Sequence, residues 1–116
     1  MSEFFQVGPH THINGDSTKA ENYVKALSGK KANMLFADPP YCLLVRRNKK
    51  TGQLRDPKVA KINHEAVKRY ENVREYREFT KKWMTPACAN IKDDGIFIIW
   101  TNFLGKAPIK QVAKDI

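Results

Sequence analysis

Three features of the sequence predict an α/β fold with a mostly parallel sheet. Two short apolar runs, Ala32–Ala37 and Gly95–Trp100, have the length and composition of buried strands. The stretches between and after them carry apolar residues at helical spacing, and the first run stops abruptly at Pro39-Pro40. Strand, helix, strand and helix in that order imply right-handed crossovers within one sheet. At 116 residues the chain has room for one domain.

Taken in order, Phe4 to Ile13 mixes apolar and polar residues around Gly8-Pro9, and a strand is expected after that turn, over His10–Asn14. Gly15-Asp16-Ser17 breaks the pattern, and Asp16 or Ser17 is placed to cap a helix over about 19–27, which Ser28-Gly29 ends. Ala32–Ala37 reads as a strand buried on both faces, and the two prolines after Asp38 force the chain out of the sheet at its carboxyl end. From Cys42 to about Ile62 the sequence is basic and poor in core residues, as a loop would be. Helical patterning resumes from about His64 to Ile91, and Pro86 predicts either two helices or one kinked helix. Asp93-Asp94-Gly95 reads as a turn, Ile96–Trp100 as a strand, and Ala107–Ile116 as a helix. Trp83, Phe97 and Trp100 read as core aromatics, Tyr70 and Tyr76 as partly exposed helix residues.

A formal net charge of +9 points to a polyanionic partner, of which nucleic acid is the commonest. No apolar run approaches the ~20 residues of a bilayer span, and no secretory signal pattern opens the chain. No membrane association and a cytoplasmic location are therefore expected. Two cysteines make no disulfide framework and no CxxC pair, so Cys42 and Cys88 read as reduced, packed thiols. His10 and His12 share a strand face but lack a third ligand, so no metal site is expected.

The chemistry concentrates at Asp38-Pro39-Pro40-Tyr41. In open α/β sheets ligands bind outside the carboxyl ends of the strands, where this segment is predicted to lie. A carboxylate and a backbone carbonyl are both acceptors, and together they can hold the two hydrogens of an exocyclic amine. The nitrogen lone pair is then directed out of the ring plane, towards an electrophilic methyl. The prolines preorganise the acceptors, and Tyr41 offers a flat face to a base.

These residues resemble the catalytic motif (Asp/Asn/Ser)-Pro-Pro-(Tyr/Phe) of the amino-methylating DNA methyltransferases, in the permuted group that carries it near the start of the domain. Asn14-Gly15-Asp16-Ser17-Thr18 upstream and the Gly95–Trp100 strand downstream extend the likeness over most of the chain. The sequence closely resembles versions attached to partition-protein-like nuclease domains in phages and bacterial mobile elements. The resemblance implies a partial Rossmann-like fold dependent on S-adenosylmethionine, acting on double-stranded DNA in a bacterial or phage setting, nucleoid-associated and linked to restriction-modification. It implies that Asp38 and the Pro39 carbonyl accept from adenine N6, that Pro40 stiffens the turn, and that Tyr41 stacks on the flipped base. Asp16, with Ser17 beside it, matches the position contacting the adenosine part of the cofactor. Aspartate at the first motif position favours adenine over cytosine N4.

The family's Phe-x-Gly-x-Gly motif for the methionine part of the cofactor has no counterpart among the six glycines. Residues 1–116 are accordingly expected to be the N-terminal part of one methyltransferase domain, without the target-recognition region. A C-terminal half, or an oligomer, would complete it. Arg46, Arg47, Lys49 and Lys50 in the basic segment are candidates for phosphate contacts. Cys42 follows Tyr41 rather than a proline, so it reads as a spectator and not a covalent nucleophile. Rival readings are methylation of cytosine N4, of RNA adenine or of a glutamine amide, and an inactive nucleic-acid-binding remnant.

Overall fold

The computed structural model describes residues 3–45, 50–52 and 68–116. Its elements run β1 (Glu3–Val7), β2 (His10–Asn14), α1 (Ala20–Leu27), β3 (Ala32–Ala37), α2 (Val73–Ala89), β4 (Ile91–Ile99) and α3 (Phe103–Asp115). The α/β class holds, with β2 and β3 where the sequence places them. The mostly parallel sheet does not: the strands form two pairs, an antiparallel β1–β2 and a parallel β3–β4.

Strand β1 was not expected, because Phe4 to Val7 shows no alternation to set it apart. It forms by pairing with β2 in register from Glu3↔Asn14 to Val7↔His10. Gly8 takes φ +59, the left-handed geometry that tight two-residue hairpin turns require at their first central position.

Between β3 and β4 the ladder is regular from Met34↔Ile96 to Ala37↔Ile99 and irregular between Ala32 and Met34. The expected turn at Asp93-Asp94-Gly95 is instead a bulged part of β4. A Cβ on Gly95 would collide with the Ile91 side chain and come within 2.9 Å of the Lys92 carbonyl oxygen, so this crowding selects glycine.

Helix α2 opens later than expected. Asn72 caps it by accepting from the Glu75 amide at 2.9 Å, while the Glu75 carboxylate accepts from the Glu71 amide at 2.7 Å. This reciprocal arrangement resembles a capping box. The helix continues through Pro86; of the expected start near His64, residues 64–67 lie outside the described residues. Helix α3 begins four residues before the expected Ala107, because Asn102 caps it at the Gly105 amide.

The core lies where α2 and α3 meet the β3–β4 pair. Tyr70, Tyr76, Trp83, Met84, Ile109 and Val112 are buried there, joined by Cys42, with Leu35, Ala37 and Ile99 packed from the sheet. Tyr70 and Tyr76, expected to be partly exposed, are fully buried, with rings edge-to-face at 5.0 Å. Conversely, Phe97 and Trp100 are exposed, not core residues. The expectation that β3 is buried on both faces also fails. Met34 and Phe36, with Ile96 and Ile98 opposite them, form an open apolar face, since the core takes its sheet residues from the other side. Among the described residues no helix is long and apolar enough to cross a membrane.

Candidate active site

Parallel pairing brings the carboxyl ends of β3 and β4 to the same edge of the sheet. Asp38-Pro39-Pro40-Tyr41 leaves from one, and Trp100-Thr101-Asn102 leads from the other into α3. The Trp100 amide donates to the Ala37 carbonyl at 2.9 Å, so the two exits separate only after the last ladder bond.

Beyond that point the motif is held from outside itself. The buried Tyr76 of α2 donates its hydroxyl to the Pro40 carbonyl at 2.8 Å. Asn102 accepts from the Cys42 amide at 3.2 Å and donates to the Cys42 carbonyl at 3.0 Å. Its Oδ1 serves the α3 cap as well. Tyr41 therefore sits between two residues that are each fixed to a helix, and the Leu43 amide closes a tight turn onto its carbonyl at 2.9 Å. Tyr41 itself remains 39% exposed. After the turn, Leu44 bridges to Tyr70, with the Val45 amide donating to the Tyr70 carbonyl at 2.8 Å. Gly105 leaves the room this junction needs: a Cβ there would meet the Thr101 hydroxyl and lie 3.1 Å from Asn102 Oδ1.

A cleft of about 330 Å³ opens beside the motif. Asp38, Pro39 and Pro40 line it together with Ser17, Tyr23 and Trp83. Asp38 is exposed and Pro39 half-buried. Trp83 is buried, and its indole N–H has no hydrogen-bond partner among the described residues. Tyr41 is not part of the lining.

A smaller adjoining cleft, about 130 Å³, is lined by Ile13, Gly15, Asp16, Ser17, Asn22 and Tyr23. Asp16 is not the helix cap expected of it, and neither is Ser17: position 19 opens α1 without a side-chain bond. Instead Asp16 Oδ1 accepts from the Thr18 amide at 2.8 Å and the Thr18 hydroxyl at 2.7 Å, forming a local turn. These hydrogen bonds hold its carboxyl below the usual aspartate pKa. The Asp16 carbonyl accepts from the Asn22 amide group at 2.9 Å, and the Ser17 carbonyl from the Tyr23 hydroxyl at 2.7 Å.

The structure thus brings Ser17 into one cleft with Asp38–Pro40, and Asp16 into the neighbouring one. Arg46, Arg47 and Lys49 lie outside the described residues. Lys50 is exposed, in a turn with Thr51. Cys42 is buried, and burial pushes its thiol pKa up, which argues against a thiolate nucleophile. Among the described residues no three His, Cys, Asp or Glu side chains are grouped to hold a metal ion. Sequence reasoning missed Tyr76 and Asn102. An asparagine just before an amphipathic stretch is a cap signal that Pro108 obscured. The Tyr76 bond has no local signal.

No protein-family model matches this chain. No solved structure matches it.

Proposed function

We propose that this chain is an S-adenosylmethionine-dependent DNA adenine-N6 methyltransferase, or the part of one that grips the target base, and that β3–α2–β4 belongs to a Rossmann-like sheet. The observation that carries the reading is Asp38-Pro39-Pro40-Tyr41 at the carboxyl end of a parallel strand, beside a cleft it shares with Ser17.

The chemistry follows from the acceptors. The Pro40 carbonyl is committed to Tyr76, so the Asp38 carboxylate and the Pro39 carbonyl are the pair that would take the two N6 hydrogens. Fixing that amine would leave its lone pair poised for in-line attack, the N–C bond forming as the methyl's bond to sulfur breaks and a neutral thioether leaves. Asp38 or water would take the proton released from nitrogen. Tyr41, exposed between two anchored neighbours, would stack on the extruded base. No metal or covalent enzyme intermediate is needed.

For the methyl donor, the two adjoining clefts share Ser17 and Tyr23, and the larger falls within the ~300–1,000 Å³ of ordinary ligand sites. Asp16 Oδ1 is taken by Thr18, and Oδ2 has no partner among the described residues, which suits it to accept from a hydroxyl. Asp16 and Ser17 would hold the adenosine part. When bound, the cofactor supplies an electrophilic methyl group.

The test is to incubate the protein with S-adenosylmethionine and duplex DNA, digest to nucleosides and weigh them. N6-methyldeoxyadenosine that disappears with Asp38→Ala is the expected result. N4-methylcytosine would transfer the reading to the other amino group. Titration calorimetry that finds no cofactor binding would favour a remnant that binds nucleic acid without catalysis.

A further inference from the structure

Helix α3 has one buried and one exposed side. Gly105, Pro108, Ile109 and Val112 are buried against α2 and the core. At 100° per residue, Phe103, Lys110 and Lys114 lie within about 30° of the line opposite that buried face, and Lys106, about 70° away, lies at the margin of the exposed side. All three lysines are exposed, and none has an ion-pair partner among the described residues. The only acidic residue of α3 is Asp115. Phe103 is 92% exposed, the most exposed of the large apolar side chains among the described residues. It is also not on a loose end. It is the first residue of a helix whose cap, Asn102, is bonded to Cys42 beside Tyr41.

We propose that this face of α3 is a second nucleic-acid contact: Lys106, Lys110 and Lys114 follow the phosphate backbone of duplex DNA, and Phe103 meets a base at the mouth of the site. Lysines four residues apart step about 6 Å along a helix, so they present a line of charge to a linear polyanion. An exposed aromatic on a rigid cap beside the target-base motif is placed to stack on, or wedge against, a base exposed by flipping. The inference rests on the DNA reading above, but its test reads binding and does not depend on methyl transfer.

The experiment measures the affinity of the 116-residue chain for a short duplex between about 50 and 200 mM salt. Replacing Lys106, Lys110 and Lys114 together by alanine should reduce the slope of log affinity against log salt by about 2.7, near 0.9 per lost phosphate contact. A control replaces Lys25, Lys30 and Lys31, exposed lysines at the other end of β3, and removes the same charge. Its slope should change far less. Phe103→Ala should weaken binding about 5- to 150-fold with the slope retained, because a stacked ring releases no counterions. Equal slope changes in the two lysine triples would reduce α3 to a solvated surface and overturn the proposal. So would a wild-type chain without salt-dependent binding, or a Phe103→Ala chain of unchanged affinity. DNA binding that follows these expectations without methylation would sustain the surface and overturn only the catalytic reading.

Discussion

The two sides of the candidate site are built by opposite means. Around Asp16, the hydrogen bonds made by Thr18, Asn22 and Tyr23 join residues no more than 6 apart in sequence. Around Asp38–Cys42, the anchoring bonds from Tyr76 and Asn102 cross 36 and 60 residues. A turn closed over six residues loses little chain entropy and can form early and alone. The motif loop is held only when α2, β4 and α3 are all in place. The side that would grip the base therefore depends on the whole core, while the side that would meet the cofactor depends on its own short loop.

The largest expected effect sharpens this contrast from the chemical end. Asp38→Ala removes an exposed acceptor, so methyl transfer should fall by at least about 10²–10³-fold while the circular dichroism spectrum stays unchanged. Transfer of labelled methyl groups to DNA measures it, and sustained turnover would show that Asp38 has no part in the reaction.

Stability should follow the long-range anchors. Tyr76→Phe leaves the Pro40 carbonyl without its buried donor and should cost about 0.5–1.5 kcal/mol by urea unfolding. Asn102→Ala loses the α3 cap, about 0.5–2 kcal/mol, and should also speed hydrogen exchange at the Cys42 amide. If neither variant shifts the unfolding midpoint, the motif loop is not held by the core as described.

Tyr70 supplies the internal control, packed edge-to-face against Tyr76 but with a buried hydroxyl that has no hydrogen-bond partner among the described residues. Tyr70→Phe should be neutral or slightly stabilising at neutral pH, opposite in sign to Tyr76→Phe. Burial pushes the Tyr70 pKa up to about 12. The folded state thus keeps this proton where the unfolded chain loses it, above its ordinary value near 10. The stabilisation is complete below about pH 10 and lost towards pH 12, so Tyr70→Phe should flatten the alkaline limb of a stability–pH curve. An unchanged limb would place the alkaline transition elsewhere.

The smallest effect on the fold should come from Asp16→Ala, which removes only an exposed local turn and so should shift the urea midpoint at neutral pH least among these variants, while weakening binding of S-adenosylmethionine in calorimetry. With its pKa held below the usual value, any stability Asp16 adds is present above pH 3.8 and fades as pH falls through the lower folded value. A large loss of stability at neutral pH would erase the distinction between the two sides.

The parts legible in the sequence are those set by neighbouring residues. β2, α1 and β3 follow from turn residues, periodicity and an apolar run. The exit at Asp38 follows from two prolines that no strand interior accommodates. The bulge at Asp93-Asp94-Gly95 read as a turn because its composition is that of one, and only the crowding against Ile91 and the Lys92 carbonyl separates the two. Phe97 and Trp100 read as core because they are aromatic, yet the packing of α2 and α3 decides which side of β4 is covered.

By itself the sequence determined the α/β class, the place of Asp38–Tyr41 at a strand end and the break in the chain at Gly15-Asp16-Ser17, because each is fixed by steric and hydrogen-bonding rules acting over a few residues. Only the tertiary structure decided that Tyr76 and Asn102 bracket Tyr41, that Ser17 shares a cleft with Asp38, and that the sheet divides into two pairs. Such contacts arise where distant segments bury apolar surface together, and the hydrophobic effect that drives this is not directional. Which donor then meets which carbonyl is settled by the geometry of the packed core.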